Sequence, residues 1–322
     1  MDGLDVAVAT PDRQLVGQIT DLVDRVSLRR QHAALSEHKR MEIDQLTRGK
    51  GPASVRSGPK ALIVVHRDGR LIGYGHLSGG PSSDGYVLEL VVDDRAETPS
   101  PVKVGPAADA LLSAAVDHIG ALGGGTVRLW AAQATEVDDT LATDHDFHRE
   151  RELIQMRCPL PFPGTNDPAR RGPPIHTRPF RPGADEAAWL ATNNRSFANH
   201  PEQGHWDLAT LLEREREPWF EPDGLLLLDV DGRLAGSCWT KIHADTTPPL
   251  GEIYVIGVDP DFHGQGWGRA LTAAGLDWLA GRGLQIGMLY VDAANRAAVT
   301  MYRSMGFEPD HVDRAYSRVI DG

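Results

Sequence analysis

Residues 257–283 read GVDPDFHGQGWGRALTAAGLDWLAGRG, with glycine at alternate positions 264, 266 and 268. Before them runs GEIYVIGVDP (251–260), an apolar and β-branched stretch that predicts a strand. After them, Leu271, Ala274, Trp278 and Leu279 fall on one face of a helix. Strand, glycine loop and helix N-terminus together can hold an anion. Glycine lets main-chain amides turn inward with no Cβ in the way, and the unpaired amides and helix dipole favour negative charge. The stretch is neither a GxGxxG pattern nor a P-loop, for it lacks the Gly-Lys-Ser/Thr of the latter. Taken alone, these residues also fit a plain structural turn.

A second group with chemical potential is His200, Glu202 and His205. Their spacing does not put two imidazoles on one helix face, and Pro201 interrupts any helix there, so no metal is expected. The two cysteines, Cys158 and Cys238, lie far apart without metal-type spacing, which favours a reducing compartment over a disulfide framework. The longest apolar runs, ALIVV (61–65) and LLLL (225–228), are of strand length, and the N-terminus is acidic without a signal-peptide core. These features predict a cytoplasmic protein with no membrane partner. A net charge of −12 argues against a nucleic-acid groove.

The elements that must position the glycine loop occur twice in the 322 residues. VVHRDGRLIGYGHLS (64–78) parallels LLDVDGRLAGSCWTK (227–241), each with an Asp-Gly hairpin turn between apolar runs. LELVVDD (88–94) matches YVIGVDP (254–260), RLWAAQ (128–133) matches MLYVDA (288–293), and HDFHRERELIQMR (145–157) resembles MGFEPDHVDRAYS (305–317). Four matches in one order indicate a duplicated domain. Each copy reads as an opening helical stretch (12–46; 184–217), a hairpin, a third strand, a helix (106–122; 267–281), a strand, a short helix and a last strand. This is an α/β pattern with a mixed sheet. The proline- and glycine-dense stretch 158–183 reads as the linker. The expected domains are 1–160, a linker at 161–174, and 175–322.

HGQGWGRAL (263–271) resembles the Gln/Arg-x-x-Gly-x-Gly/Ala loop of the GCN5-related N-acetyltransferases, the GNAT family, with His263 departing from the usual Gln or Arg. NRAAVTMYRSMGF (295–307) has Asn295, Ala298, Tyr302, Gly306 and Phe307 at that family's spacing. The resemblance implies two tandem GNAT domains, each a mixed, mostly antiparallel sheet flanked by helices, and acetyl-CoA as co-substrate. It implies that His263, Gly264, Gln265, Gly266, Trp267, Gly268 and Arg269 cradle the pyrophosphate. Ile256, Gly257 and Val258 would pair with the pantetheine arm, one amide there polarising the thioester carbonyl. Asn295, Arg296, Ala297, Ala298, Val299 and Thr300 would touch the coenzyme, and so would Leu90, Val91 and Val92 on the matching strand of the first copy. An Asn at the start of a helix also fits a cap.

The second half further resembles the mycothiol synthases, tandem GNAT enzymes that acetylate the cysteinyl amine of a cysteine–glucosamine–inositol thiol precursor. NNRSFANHPEQGHWDLATLLEREREPWFEPDGLLLL (193–228), CWTKIH (238–243) and GEIYVIGVDP carry this likeness, and RERELIQMRCPL (149–160) carries a looser one in the first half. Acetyl transfer needs a neutral amine, a polarised carbonyl and a proton for the leaving thiolate. The resemblance makes Glu252 the general base and Tyr302 the general acid. From position alone Glu252 fits a solvated strand end, and Tyr302 an aromatic packed under the coenzyme. The same resemblance assigns Glu37, Glu202, Lys241, Glu252 and Tyr290 to the sugar-thiol substrate, although an exposed helical Glu also describes Glu37. No metal is implied, and the chain is read as a monomer. An acetyltransferase of another small amine, or a non-catalytic acetyl-CoA-binding module, stays open at this point.

The first copy departs from that pattern. After its third strand come VVDDRAETPSPVKVGPAADALL (91–112), where Gly105 stands alone before Pro106, and Pro99 and Pro101 remove further amides. The expectation is that this copy binds acetyl-CoA weakly or not at all.

Overall fold

A computed structural model describes residues 3–30, 32–47, 60–80, 85–93, 104–162, 167–198 and 203–322. The chain forms two compact units, Met1–Leu153 with His311–Gly322, and Ile154–Asp310.

In the first unit the order is β1 (Leu4–Ala9), α1 (Arg13–Arg30), α2 (Glu37–Thr47), β2 (Ala61–Arg67), β3 (Arg70–Gly80), β4 (Gly85–Val92), α3 (Pro106–Ala121), β5 (Gly125–Ala131), α4 (Glu136–Asp144) and the start of β6 (His148–Pro159). The β2–β3 turn has both Asp68 and Gly69 at positive φ, 51° and 75°, the turn chemistry that matches strand twist. The ALIVV run is apolar throughout because both faces of β2 are covered. Ile63 and Val65 pack with Leu111, Leu112 and Ala115 of α3. Leu62 and Val64 pack with Ile19, Leu22 and Val26 of α1.

The α1–α2 side of this unit also buries a polar network. His76 Nε2 donates to Glu42 Oε2 at 2.8 Å, so in the neutral ring Nδ1 accepts the Tyr74 hydroxyl at 2.6 Å. His38 reaches the other Glu42 oxygen at 3.0 Å, Lys39 bonds Ser78, and Ser36 Oγ donates to Glu89 at 2.6 Å. Burial lowers the His76 pKa, and the Glu42 hydrogen bond only partly offsets this. For Glu42, burial acts upward, but His38, His76 and Lys39 together hold its carboxyl down at about 2.

The second unit continues with α5 (Pro168–Arg171), β7 (Arg178–Pro179), α6 (Glu186–Ser196), α7 (Leu208–Glu215), β8 (Leu225–Val230), β9 (Arg233–His243), β10 (Leu250–Val258), α8 (Trp267–Gly281), β11 (Ile286–Asp292) and α9 (Arg296–Met305). A final strand, β12 (Glu308–Ile320), ends the chain's regular structure. The Asp231–Gly232 turn repeats the positive-φ pair, at 48° and 76°. Leu226 and Leu228 face α8, and Leu225 and Leu227 face α6 and α7.

Strand order in the first unit is β1-β2-β3-β4-β5-β12, and in the second β6-β11-β10-β9-β8-β7. The pair β4–β5 and its counterpart β10–β11 are parallel, whereas β2–β3–β4 and β8–β9–β10 are antiparallel. Residues 311–320, read from the sequence with the second copy, belong to the first unit and pair with β5 from Arg314↔Ala131 to Ile320↔Gly125. Ile154–Pro159 of β6 belong to the second. The described residues of the stretch expected as a linker, 161–162 and 167–174, are also part of the second unit. They form α5, ion-pair Arg171 with Asp277 of α8, and bring Pro173 against the loop before α8.

Candidate active site

The site is organised by β10. Its register on β9 runs Glu252↔Lys241 and Ile253↔Thr240, then resumes at Val255↔Trp239, which leaves Tyr254 as the extra residue of a bulge. Simple alternation would put Val255 opposite Glu252. The bulge instead sets Val255 beside Trp239, on the face that Glu252 and Lys241 share. On the other edge β10 pairs with β11 only from Gly251↔Gly287 to Ile253↔Leu289. Beyond that point the parallel strands part, and among the described residues nothing on β11 registers with Ile256, Gly257 or Val258. Apart from the Val258 carbonyl, which His263 takes, their main-chain groups on that side are available to an extended ligand.

The loop that follows is built to face an anion. Gly264 and Gly266 have φ of +80° and +79°, conformations that L side chains rarely adopt, and Gly266 is the N-cap of α8 without a side-chain cap. A Cβ on Gly266 would also stand 3.0 Å from Pro173 Cδ. His263, Gly264, Gln265 and Gly266 are exposed, and the first-turn amides of α8 point toward this loop. His263 bonds back to the Val258 carbonyl at 2.8 Å, closing the strand end. Trp267 stacks near Phe262 at 5.5 Å between centroids, and Arg269 donates to Ser304 Oγ at 2.8 Å. Gly268 lies inside the first turn of α8, where a Cβ would come only to within 4.0 Å of Met301 Sδ.

Asn295 caps α9, its side chain accepting the Ala298 amide at 3.1 Å. Arg296 and Ala297 are exposed, Ala298 half-buried, Val299 buried, and the Thr300 hydroxyl donates to the Arg296 carbonyl at 2.7 Å. Tyr302 is buried against Phe307 at 5.6 Å. Burial, with a smaller effect of Cys238, pushes its hydroxyl well above the usual tyrosine range, so it holds its proton. Cys238 is the register partner of Ile256, which sets the hydroxyl near the level where β10 leaves β11. Burial also pushes the Cys238 and Cys158 thiols up to about 12, leaving both unreactive.

On the α6–α7 face, Lys241 Nζ sits 4.5 Å from the Trp219 ring centroid and 5.5 Å from that of Tyr254. Glu252 is 8% exposed and accepts His243 Nε2 at 2.7 Å. Tyr290 stands two residues beyond Met288, the partner of Glu252 on β11. Its hydroxyl accepts Gln155 Nε2 at 2.8 Å. Lys241 and Glu252 are thus brought together as cross-strand neighbours, with Tyr290 on the adjoining strand. Glu202 and His200 lie outside the described residues, and Glu37 opens α2 in the first unit. In that unit β4 pairs with β5 only as far as Glu89↔Trp130, so Leu90, Val91 and Val92 lie beyond the paired segment. Gly105 there has φ −74° and caps α3 ahead of Pro106, with no left-handed glycine. Pro99 and Pro101 lie outside the described residues.

Sequence reasoning did not assign His243, Trp219, Tyr254 or Gln155. For His243 a signal existed, since it follows Lys241 by two positions on a strand and so shares its face. Elsewhere, His32, His311 and Asp313 of the first unit offer ligand atoms within 4.8 Å of one another. The two imidazoles meet edge to face at 4.8 Å and Asp313 accepts the Gln133 amide, so we read this group as packing. No helix among the described residues is long and apolar enough to cross a membrane.

Residues 188–307 match the acetyltransferase (GNAT) family model. The chain is 42% identical over 266 residues to a mycothiol acetyltransferase of Thermomonospora curvata, covering 82% of this chain and 84% of that protein. It is 39% identical over 312 residues to a mycothiol acetyltransferase of Acidimicrobium ferrooxidans, covering 95% and 94%. Among solved structures it is similar to a tandem GNAT protein from the clavulanic acid biosynthesis pathway, with TM-score 0.66 and 18% identity over 99% of both chains. A GCN5-related N-acetyltransferase from Sphaerobacter thermophilus matches with TM-score 0.68 and 19% identity, over 99% of this chain and 96% of that one. The architecture is therefore two tandem GNAT domains.

Proposed function

The chain belongs to the mycothiol acetyltransferase family, and on that premise we propose that it moves the acetyl group of acetyl-CoA onto the cysteinyl amine of the cysteine–glucosamine–inositol precursor, giving mycothiol and CoA. The observation that carries the chemistry is the parting of β10 from β11 beside the glycine-capped start of α8. The diphosphate rests on the amides of residues 263–269, and the pantetheine arm adds to the open edge of Ile256–Val258. One amide of that edge hydrogen-bonds the thioester oxygen, and so stabilises the charge that develops when the amine attacks. Glu252 takes the proton from the ammonium. The freed nitrogen attacks the carbonyl carbon, the carbon–sulfur bond breaks, and Tyr302 gives its proton to the departing thiolate; the second proton that the nitrogen sheds as the amide forms returns the Tyr302 phenolate to its hydroxyl. Lys241, Glu252, Tyr290, Glu202 and Glu37 are assigned to the sugar-thiol.

We read the protein as cytoplasmic and monomeric, with no metal and neither nucleic acid nor membrane as partner. The segment joining β4 to α3 in the first unit carries one glycine, Gly105, whose φ is −74°, so one acetyl-CoA per chain is the expected stoichiometry in a calorimetric titration. The substrate is tested by CoA release with the cysteinyl pseudodisaccharide beside aminoglycosides and polyamines. Selective turnover of the pseudodisaccharide is expected. Turnover of another amine alone would reassign the substrate, and no turnover of any amine would leave a binding module.

A further inference from the structure

We propose that His243 is the positioning residue for the catalytic carboxylate. Its Nε2–H fixes one oxygen of Glu252 so that the other is turned to the incoming amine. The inference rests on the reading of Glu252 as base. His243 and Glu252 lie on adjacent antiparallel strands, two residues out of direct register, since Leu250 faces His243 and Lys241 faces Glu252. That diagonal suits an imidazole reaching a carboxylate, and the Nε2–Oε2 distance is 2.7 Å. The turn that carries His243 is itself held. The single Thr246 hydroxyl proton is shared between the His243 carbonyl, 3.0 Å from Oγ1, and the Pro248 carbonyl, 2.9 Å from it.

The location explains why such a group is needed. The Glu252 side chain is 10% exposed and that of His243 24%. Beside Glu252, Lys241 lies against the rings of Trp219 and Tyr254. In so dry a place a carboxylate has few waters to orient it, and a side chain with three torsions could swing its lone pairs away from the substrate. A single directional donor removes that freedom. In this role His243 does not change its own proton count: the ammonium proton goes to the second Glu252 oxygen and leaves from there to solvent.

The test is a set of variants assayed for CoA release and for acetyl-CoA affinity. His243→Leu is expected to lower kcat by about 10- to 100-fold while the acetyl-CoA Kd stays within about 3-fold, which also reports that the protein is folded. His243→Gln carries an amide nitrogen at nearly the reach of Nε2 and is expected to restore most of the rate. His243→Asn, whose amide matches Nδ1, is not. In a Glu252→Gln background, His243→Leu is expected to cause no further loss, because it acts through the carboxylate. A full rate in His243→Leu, a Gln variant as slow as Leu, or an equal loss in both backgrounds would overturn the proposal. If Glu252→Gln alone runs at full rate, the reading of Glu252 as base falls and this inference falls with it. A slow Glu252→Gln beside a fully active His243→Leu defeats the inference alone.

Discussion

Tyr302 illustrates how a single side chain is prepared by its surroundings. Its ring packs from α9 against Phe307, and burial raises the cost of the phenolate, so on the proposed reading the proton is present for the leaving thiolate. Tyr302→Phe keeps the ring and removes the proton. It is expected to lower kcat by about 100-fold and to leave acetyl-CoA binding nearly unchanged, as steady-state kinetics and a direct titration would read. Tyr302 and Glu252 stood out in the sequence because each sits inside a motif with fixed spacing. Trp219 and Tyr254 did not. Tyr254 is the bulged residue of β10, and no one-dimensional pattern announces which residue a bulge will leave out of register. Gln155 was hidden for another reason: its partner Tyr290 is far along the chain, and nothing local to either residue marks the bond.

At the scale of elements, the start of α8 is the critical one. Gly266→Val would impose a left-handed φ on a β-branched residue and push a Cβ to 3.0 Å from Pro173. The expected result is a rise in the acetyl-CoA Kd of at least 10-fold, measured by calorimetry, while Gly281→Ala, with open space at its Cβ, leaves it unchanged. The contact between α2 and β3, where Glu42 meets His76, carries a pH prediction. His76 is neutral in the folded protein because its pKa lies below the usual 6.5. As pH falls through 6.5 the unfolded chain takes up a proton that the folded chain refuses, so stability declines on the acid side. Glu42, held down at about 2, adds a further loss between about 4.5 and 2. The thermal midpoint of the wild type, relative to His76→Gln, should therefore drop from pH 7 to pH 5, and a constant difference would count against a neutral His76. Helix and strand positions were largely legible: α8 lies where the apolar face predicted it, and α3 ends within a residue of expectation. The strand β1 was missed because LDVAVA is too short and too weakly flanked to stand out.

At the scale of the whole molecule, the duplication was readable but the division of the chain was not. Repeats show in sequence as similarity in order, which says which segments correspond and not which segments fold together. Residues 311–320 resemble the last strand of the first copy, yet they close the first unit's sheet, burying Ala315, Tyr316 and Ile320. Residues 1–153 alone would lack that strand and bare the edge of β5. Such a fragment is expected to be insoluble or molten by circular dichroism. Adding residues 311–322 as a peptide, or through a short linker after residue 153, should restore a cooperative transition. A stable, monomeric 1–153 with a sharp melt would show the strand to be dispensable.

The shared strand also sets an order of events during synthesis. The segment that completes the first unit leaves the ribosome only after all of residues 154–310 have emerged. The earlier-made half must therefore wait, with an unfinished sheet, while the later-made half is translated and begins to fold. The repeat proposed to carry the chemistry can thus mature before the repeat that precedes it in the gene, reversing the usual sequence of folding along a nascent polypeptide.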